Sequence, residues 1–256
     1  MNILVTGSKG LVGTHLLKSL KDHNISEWDL QIGNNIKDIS PANLENVDVV
    51  VHLAAWANVR ESIKDPHKYL VNNIEYTKDL FELCKQKHVP IIYASSSCVH
   101  NWSKTPYGIS KKMNEVMAPP KSVGLRFTTI YGDNARETML ISKIKNKTLE
   151  YMTNHVRDFI HVEDVVSAIV HFINTKDSWQ APTYEIGTGV GVSVKDLVER
   201  CGMDVPLKQG EIFEAINNTA NILEMVKLGW YPKHSIWDQP FIVDKPEPEN
   251  IDFIYD

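Results

Sequence analysis

The chain opens with Met1-Asn-Ile-Leu-Val-Thr-Gly7-Ser-Lys-Gly10-Leu-Val-Gly13, a stretch that predicts a strand, a tight turn and a helix in close succession. Residues 2–6 are a short apolar run of strand-forming residues, which is typical of a buried parallel strand. Three glycines follow at a spacing of three. The apolar residues after them recur with helical spacing, at Leu11, Val12, Leu16, Leu17 and Leu20.

This glycine turn has the chemistry of a dinucleotide-binding turn. The first glycine allows a tight turn, the second lets the backbone approach a pyrophosphate, and the third lets the helix pack on the strand. Free N–H groups and the helix dipole favour phosphates at the helix N-terminus. A glycine-rich loop without a ligand is the alternative. The position between an N-terminal strand and an apolar helix favours a cofactor site at Gly7, Lys9, Gly10, Leu11 and Val12.

The residue that follows the second strand decides between NAD and NADP. We place that strand at residues 28–32, followed by Gly33-Asn34-Asn35. No acid stands at its end to bind a ribose, and no arginine is available for a 2′-phosphate. Asp29 falls early in the strand, which leaves Asn34 to bond a ribose hydroxyl. We therefore predict NAD and keep NADP as the alternative.

Composition excludes several classes of protein. The 256 residues carry a net charge of −5, so no nucleic-acid partner is expected. No apolar run reaches the roughly 18 residues of a membrane span, and the N-terminus does not resemble a signal peptide. Cys84, Cys98 and Cys201 have no paired spacing, which is typical of reduced thiols in the cytoplasm. Ten histidines without a paired spacing predict no metal site.

Strands and helices alternate through the first half of the chain. Further strands are predicted at residues 47–53, 90–94 and 123–130, and helices at 71–87 and 111–117. This alternation predicts an α/β fold, a Rossmann-like doubly wound parallel sheet. After Gly132 the pattern is mixed. Helices are expected there at residues 139–147, 162–174 and 193–201, the last with Ser193 as N-cap.

This pattern divides the chain into three parts. Residues 1–131 form the predicted NAD(P)-binding core, with its sheet completed by part of 156–190. Residues 132–243 form a small C-terminal α/β part that is mainly substrate-binding. Residues 244–256 hold two prolines and five acids against one lysine, and we expect an extended tail.

A serine, a tyrosine and a lysine have the spacing of a proton-transfer site. The serine run Ser95-Ser96-Ser97 follows the predicted strand at residues 90–94, where side chains face the ligand crevice of an open sheet. Tyr107 and Lys111 share a helix face. A nearby ammonium lowers the pKa of a tyrosine from about 10 toward working pH, so Tyr107 can accept a proton from a substrate hydroxyl as hydride leaves the same carbon. A solvated helix face and a polar loop are the alternatives for the isolated motifs.

At this point the chain resembles an extended short-chain dehydrogenase/reductase of the NAD-dependent epimerase/dehydratase family. The likeness runs from residue 1 to about residue 238, and the spacing of the glycine turn belongs to it. The matching motifs are Val51-His-Leu-Ala-Ala55, Asn73-Ile-Glu-Tyr-Thr77, Ala94-Ser-Ser-Ser-Cys-Val99, Pro106-Tyr-Gly-Ile-Ser-Lys111, Leu125-Arg-Phe-Thr-Thr-Ile-Tyr-Gly132, Val156-Arg-Asp-Phe-Ile-His-Val-Glu-Asp164, Tyr184-Glu-Ile-Gly-Thr-Gly189 and Leu228-Gly-Trp-Tyr-Pro232.

The resemblance implies a role for each matching position. Ser96, Tyr107 and Lys111 are the implied catalytic residues, and Tyr107 and Lys111 also contact the cofactor. The other implied cofactor-binding residues are Gly7, Lys9, Gly10, Leu11, Val12, Asn34, Asp38, Ile39, Leu53, Ala54, Ala55 and Asn73. The implied substrate-binding residues are Ser97, Cys98, Thr129 and Arg157.

Three of the matching residues keep an alternative reading. Arg157 suits a nucleotide diphosphate, because a guanidinium binds phosphate oxygens bidentately, but it could instead pair with Asp158 or Glu163. Cys98 stands where some epimerase-reductases of the family have an acid/base cysteine, and a small core residue is the alternative. For His161 we expect a structural role.

The chain also departs from the family pattern. Only ten residues separate Ser96 from Tyr107, and His100-Asn101 replaces the usual Tyr-Gly. The shortened loop normally helps to cover the sugar. Its loss could open the site, relax specificity or leave closure to a partner subunit.

The combined reading is an NAD-dependent nucleotide-sugar epimerase that works through a transient keto-sugar. Its expected partners are a nucleotide-diphosphate sugar and, by resemblance, a second copy of the chain bound through residues 74–87 and 110–117. A dehydratase is less favoured, because that branch has an Asp-Glu pair where this chain has Ser97 and Cys98. An NADPH-dependent reductase or epimerase-reductase is the rival enzyme. A non-catalytic cofactor-sensing protein is the rival of another class.

Overall fold

The elements follow the alternation of apolar segments along the chain, and the computed structural model describes residues 1–244. Within this range the strands are β1 (Asn2–Thr6), β2 (Asn24–Trp28), β3 (Val49–His52), β4 (Ile91–Ser96), β5 (Ser122–Phe127), β6 (Thr129–Tyr131), β7 (Met152–Thr153), β8 (Val156–Arg157), β9 (Phe159–His161), β10 (Thr183–Ile186), β11 (Val192–Ser193) and β12 (Leu207–Lys208).

The α-helices of the same residues are α1 (Leu11–Ser19), α2 (Val59–Lys64), α3 (Pro66–Leu70), α4 (Thr77–Lys87), α5 (Pro106–Met117), α6 (Leu140–Lys145), α7 (Val162–Asn174), α8 (Val194–Arg200) and α9 (Leu223–Lys227). Turns of 3-10 helix span Leu30–Ile32, Ile36–Asp38, Pro41–Leu44, Ser97–Lys104 and Ile236–Asp238, and a π-helical segment, Val71–Tyr76, joins α3 to α4.

Six parallel strands form the main sheet, in the order β10-β5-β4-β3-β1-β2. The chain leaves β1 toward β2 on one side and returns to pair β3 on the other side. In an open parallel sheet, ligands bind in the crevice at the carboxyl ends of the strands where the order reverses. The predicted Rossmann-like sheet is confirmed, and its crevice lies between β1 and β3.

Apolar layers cover both faces of the sheet. Every residue of β3 is buried, as a strand covered on both faces requires. One core cluster places Val165, Ile169 and Phe172 of α7 against the sheet. A second places Leu80 and Phe81 of α4 against Val50 and Tyr93. The sheet is therefore held rigidly enough to fix the side chains at its carboxyl edge.

Residues after Gly132 build a smaller apolar cluster beside the sheet. Ile144, Phe159 and Leu197 are buried in it. Ser193 caps α8, since its side chain accepts a hydrogen bond from the N–H of Asp196. The expectation of an extended tail lies, from residue 245 onward, outside the described residues.

The predicted position of the second strand was wrong. The strand is β2, Asn24–Trp28, and residues 30–32 form a 3-10 turn. β2 lies at the edge of the sheet and its residues are partly exposed, so it lacks the apolar run that marks a buried strand. This shift places Asp29 directly after the strand.

The segment predicted as one strand at residues 123–130 is two strands. β5 ends at Phe127, and β6 pairs with β9 in a separate two-stranded sheet. The N–H of Thr128 donates to the carbonyl of Ile186 at the break. This turn carries Thr129 out of the main sheet.

Candidate active site

The glycine turn after β1 packs tightly against the end of β3 and against α1. Gly7 has φ of +70°, and a Cβ there would lie 2.6 Å from the backbone nitrogen of Ala54. A Cβ at Gly13 would lie 2.2 Å from the carbonyl oxygen of Gly7, so helix and turn pack too closely for any side chain. The helix begins after Gly10 without a side-chain cap. Its free N–H groups fit a pyrophosphate.

Asp29 is a candidate cofactor-site residue that the sequence reading had placed early in the second strand. It follows β2 about 20 residues beyond the turn, where an acid binds the ribose of NAD. Its Oδ2 accepts a hydrogen bond from the N–H of Lys9 at 3.0 Å. The Lys9 ammonium is paired with Glu27 at 2.6 Å and lowers the pKa of that carboxyl. Two acids at this edge disfavour the 2′-phosphate of NADP.

An Asp29→Asn variant should therefore bind NAD about tenfold more weakly, because a charge-assisted hydrogen bond is worth about 1.5 kcal/mol or more. Its preference for NAD over NADP should also fall. Fluorescence titration with both dinucleotides measures this, and Asp22→Asn, which removes an exposed acid beyond α1, is the control. An unchanged preference would rule out a ribose role for Asp29.

The other predicted cofactor residues lie in the segments that follow β3 and β2. The N–H groups of Leu53 and Ala54 donate to the carbonyl and Oγ1 of Thr6 at 3.0 and 3.2 Å, which leads residues 53–55 past the glycine turn. The amide of Asn34 donates to the carbonyl of Glu27 at 3.1 Å. Asp38 is exposed, and Ile39 is buried beneath it in the core.

Asn73 ties this edge to the helix that carries Tyr107. It is buried, and its amide exchanges two hydrogen bonds of 2.9 Å with the backbone of Trp56. The same amide donates to Ser110 Oγ of α5 at 3.3 Å. Asn73 thus fixes the chain after Ala55 relative to α5.

Ser96, Tyr107 and Lys111 come together at the carboxyl end of β4. Ser96 is the last residue of β4, and Thr105 starts α5 by accepting a hydrogen bond from the N–H of Gly108 at 3.0 Å. Tyr107 is buried and hydrogen-bonded to Ser96. Lys111 Nζ donates to the carbonyl of Ala94 at 2.7 Å and lies 5.9 Å from the centre of the Tyr107 ring.

The expected lowering of the Tyr107 pKa by Lys111 is contradicted. Burial raises the pKa of Tyr107, and the hydrogen bond from Ser96 opposes this only in part. Burial also lowers the pKa of Lys111 to about 8. The ammonium points to the carbonyl of Ala94 instead of the phenol, so Tyr107 is neutral in the resting site.

The short connection between Ser96 and Tyr107 contacts the segment 209–218, while its residues 100–104 are exposed. It forms the 3-10 turn Ser97–Lys104, and Lys104 Nζ donates to the carbonyl of Ile212 at 3.2 Å. Asn218, which the sequence reading missed, donates to Thr129 Oγ1 at 3.2 Å and to Ser97 Oγ at 3.5 Å. Two predicted substrate residues therefore share one amide partner from the segment 209–218.

Arg157 does not pair with Asp158 or Glu163, the two partners expected from the sequence. Asp158 is buried and accepts hydrogen bonds from Thr188, Gly189 and Ala220. Arg157 Nη1 donates to the carbonyl of Ala215 at 2.8 Å, and its Nη2 lies 3.5 Å from Glu214. No local sequence pattern could have indicated this partner.

Cys98 is half-buried, two residues after Ser96. Burial raises the pKa of its thiol, and the hydrogen bond from Ser96 and the charge of Arg157 oppose this. The thiol is therefore protonated near neutral pH. This state suits an acid more than a nucleophile.

His52, the last residue of β3, is buried between two hydroxyls. Its ring nitrogens are hydrogen-bonded to Thr6 Oγ1 at 2.7 Å and Thr77 Oγ1 at 3.0 Å. Burial, with a smaller effect of the Lys111 charge, lowers the pKa of His52 to about 3. His52 is thus neutral in the folded protein and takes up a proton near pH 6.5 only when the chain unfolds.

The free energy of unfolding should consequently fall as the pH drops below about 6.5, because only the unfolded state then protonates His52. Between pH 7 and pH 5 this loss should be about 2 kcal/mol, and His52→Gln should remove it. Urea denaturation at both pH values measures the difference. His67→Gln, at an exposed histidine, should keep the pH dependence of the unmodified chain.

One group of potential metal ligands occurs in residues 1–244. The ligand atoms of His161, Glu163 and His234 lie within 4.8 Å of one another. His161 Nδ1 accepts a hydrogen bond from the N–H of Glu163, and His234 Nδ1 is bonded to Asp164 at 3.0 Å. His161 caps α7 in this way, and the absence of a metal site remains a prediction.

Within residues 1–244, none of the helices is long and apolar enough to cross a membrane.

Comparison with known proteins identifies the family. The model of the family described as "NAD dependent epimerase/dehydratase family" matches residues 3–187. Protein CapI of Staphylococcus aureus is 31% identical over 85% of this chain and 83% of CapI. The UDP-glucose 4-epimerase of Lactobacillus helveticus is 25% identical over 91% of this chain and 93% of its own.

A solved structure gives the same result. MoeE5, in complex with UDP-glucose and NAD, is 28% identical and superposes with a TM-score of 0.81, over 92% of this chain and 95% of MoeE5. The matches confirm the predicted resemblance, the Rossmann-like fold and NAD as the cofactor of the family. The chain belongs to the NAD-dependent epimerase/dehydratase family, whose members are enzymes of the short-chain dehydrogenase/reductase type.

Proposed function

We propose that this chain is an NAD-dependent nucleotide-sugar epimerase that inverts one sugar carbon through a transient keto-sugar. The observation that carries the proposal is the buried group of Ser96, Tyr107 and Lys111 at the carboxyl end of β4. It lies at the same edge of the sheet as the glycine turn and Asp29, which fit a dinucleotide. When bound, NAD supplies the hydride acceptor for oxidation of the sugar carbon and the hydride for its reduction.

The residues of the chain have separate tasks in this proposal. Ser96 donates a hydrogen bond to the sugar oxygen and holds it against Tyr107. Tyr107, once its own proton has left to solvent, takes the hydroxyl proton as the keto form appears and gives it back when the keto form is reduced. Lys111 would hold the nicotinamide ribose of the bound cofactor. Burial excludes water, which protects the keto-sugar during its rotation.

The nucleotide and its diphosphate would lie on the smaller part of the chain. We propose that residues 132–243 mainly bind the substrate, with Thr129 and Ser97 facing the sugar and Arg157 the diphosphate. The structure of MoeE5 with UDP-glucose and NAD supports a nucleotide sugar as the class of substrate. The short loop of this chain also contacts residues 209–218 through Lys104 and Ser97.

A reductase or epimerase-reductase is the second candidate, and the protonated thiol of Cys98 near Ser96 is the observation that favours it. The acids Asp29 and Glu27 disfavour NADP and support the epimerase. A homodimer is also proposed, through α4 and α5. Met113 and Val116, both exposed on α5, provide apolar surface for it.

Mass spectrometry of the small molecules released by denaturing the purified protein tests the assignment. Retained NAD, alone or with a nucleotide diphosphate, is the expected result, because an epimerase recycles its cofactor without releasing it. Bound NADP, or a site that takes up only NADPH on titration, would replace the epimerase with the reductase. A protein that binds neither dinucleotide would contradict both enzymes.

A further inference from the structure

Two arginines from distant parts of the chain meet at a single carboxylate. Arg60 of α2 donates from Nε to Glu214 Oε1 at 2.8 Å, and Arg157 of β8 has its Nη2 3.5 Å from Glu214 Oε2. The side chains of Glu214 and Arg157 are only 16% and 15% exposed. His155 Nδ1 lies 3.6 Å from the same Oε2. Two guanidinium groups therefore meet at the partly buried carboxylate of Glu214.

This group of charged residues adjoins the candidate active site. The charges of Arg157 and Glu214 both act on the thiol of Cys98, two residues after Ser96. The segment that carries Glu214 also contacts Lys104 through Ile212 and the serine motif through Asn218. An anion that reached from the sugar to the outside would pass Arg157 and Arg60.

We propose that Glu214 and the diphosphate of the substrate compete for the same two arginines, so that Arg60 is a second diphosphate-binding residue and Glu214 sets the affinity. This inference rests on the proposed function, which gives the substrate a diphosphate. Two guanidinium groups leave one positive charge after pairing with one carboxylate. A diphosphate diester carries two negative charges and more acceptor oxygens, and it matches the arginine pair better.

The local structure allows the exchange. Glu214 closes a turn with Glu211 on an irregular segment, where Ile212 and Ile216 are 90% and 74% exposed. A segment with so little buried apolar surface moves at a low cost in free energy. Arg157 meanwhile keeps its Nη1 bonds to the carbonyls of Val156 and Ala215. Its Nη2 is therefore the group that changes partner.

The substitution Glu214→Gln separates competition from positioning, because the two predict opposite changes in anion affinity. If Glu214 competes, Glu214→Gln frees both arginines and strengthens anion binding. If Glu214 instead holds the arginines in place for the substrate, Glu214→Gln weakens it. Glu224→Gln is the matched control, because Glu224 is exposed and pairs with Lys227 on α9.

Calorimetric titration of the full chain with inorganic pyrophosphate and with UDP tests the proposal. Glu214→Gln should bind pyrophosphate about three- to tenfold more tightly than the unmodified chain, as expected for a partly exposed ion pair. Arg60→Gln should bind it several-fold more weakly, and Glu224→Gln should leave it unchanged. Glu214→Ala repeats the test if Glu214→Gln unfolds at a lower temperature.

Unchanged or weaker pyrophosphate binding by Glu214→Gln overturns the competition, and so does a chain that binds no pyrophosphate in any variant. Sugar inversion measured on the same samples separates this failure from failure of the proposed function. Tighter pyrophosphate binding without inversion of any nucleotide sugar keeps the competition and removes the epimerase. Inversion of a nucleotide sugar together with equal pyrophosphate affinities in all variants keeps the epimerase and removes the competition.

Discussion

A Tyr107→Phe variant is expected to lose about 10²- to 10⁴-fold in turnover of a nucleotide sugar, the range that a positioned acid or base contributes. The phenylalanine keeps the buried ring and removes only the proton carrier beside Ser96. Binding of NAD should stay within about threefold, since the change removes a single hydrogen-bonding group from the site. Turnover is measured by NMR of UDP-hexoses, and retained NAD by mass spectrometry of the same samples.

The structure offers a matched control for this variant. Tyr93 of β4 is as deeply buried as Tyr107, and its hydroxyl has no hydrogen-bond partner. Tyr93→Phe should therefore keep full turnover and lose no stability. Equal turnover in Tyr107→Phe and Tyr93→Phe would exclude Tyr107 as the proton carrier. It would also revive a sensor that binds the cofactor without chemistry.

A Lys111→Met variant is expected to lose activity and gain stability at once. Lys111 is 3% exposed, and its pKa is lowered by burial to about 8. At pH 7 the folded chain holds a buried charge that costs about 3 kcal/mol relative to an ordinary lysine pKa of about 10.4. Loss of the hydrogen bond to Ala94 offsets about 1 kcal/mol, so a net gain of about 1–2 kcal/mol is expected.

The stability gained by Lys111→Met should depend on pH, because it comes from removing a buried charge. Below pH 8 Lys111 is protonated in both states and the full cost is present. Between about pH 8 and pH 10.4 only the unfolded chain keeps the proton, so the unmodified protein gains stability as the pH rises. The advantage of Lys111→Met should therefore shrink between pH 7 and pH 9.5. Urea denaturation at both pH values measures it, with Lys78→Met, at an exposed lysine of α4, as control.

If Lys111→Met were more stable than the unmodified chain by the same amount at pH 7 and pH 9.5, packing and not charge would explain the difference. A variant less stable than the unmodified chain at pH 7 would show that the bond to Ala94 outweighs the buried charge. In either case the lost turnover would still stand as the test of a catalytic role.

Local signals account for the parts of the fold that the sequence reading placed correctly. The apolar run of β1, the glycine turn and the N-cap at Ser193 each depend on neighbours in the chain. They could be read because propensity and periodicity act over a few residues. The partly exposed strand β2 has no such pattern, and its misplacement hid the acid at Asp29.

Long-range pairs account for what the sequence reading missed at the candidate site. Glu214 meets Arg60 and Arg157, and His234 stacks on His161 with ring centres 4.5 Å apart. Partners separated by 50 residues or more leave no spacing to detect. The pKa of Tyr107 was misjudged for a related reason, because helical spacing placed Lys111 on the same face but could not show its bond to Ala94.

The fate of the hydrogen on the inverted sugar carbon tests the proposed hydride transfer most directly. UDP-, dTDP-, GDP- and ADP-hexoses deuterated at C4 are incubated with the purified protein, and the products are analysed by NMR. The account predicts an epimer that keeps its deuterium at the inverted carbon, without consumption of added NAD, because the same hydride leaves and returns within one site. Loss of deuterium to water, stoichiometric consumption of NADPH, or no inversion of any of these sugars would contradict it.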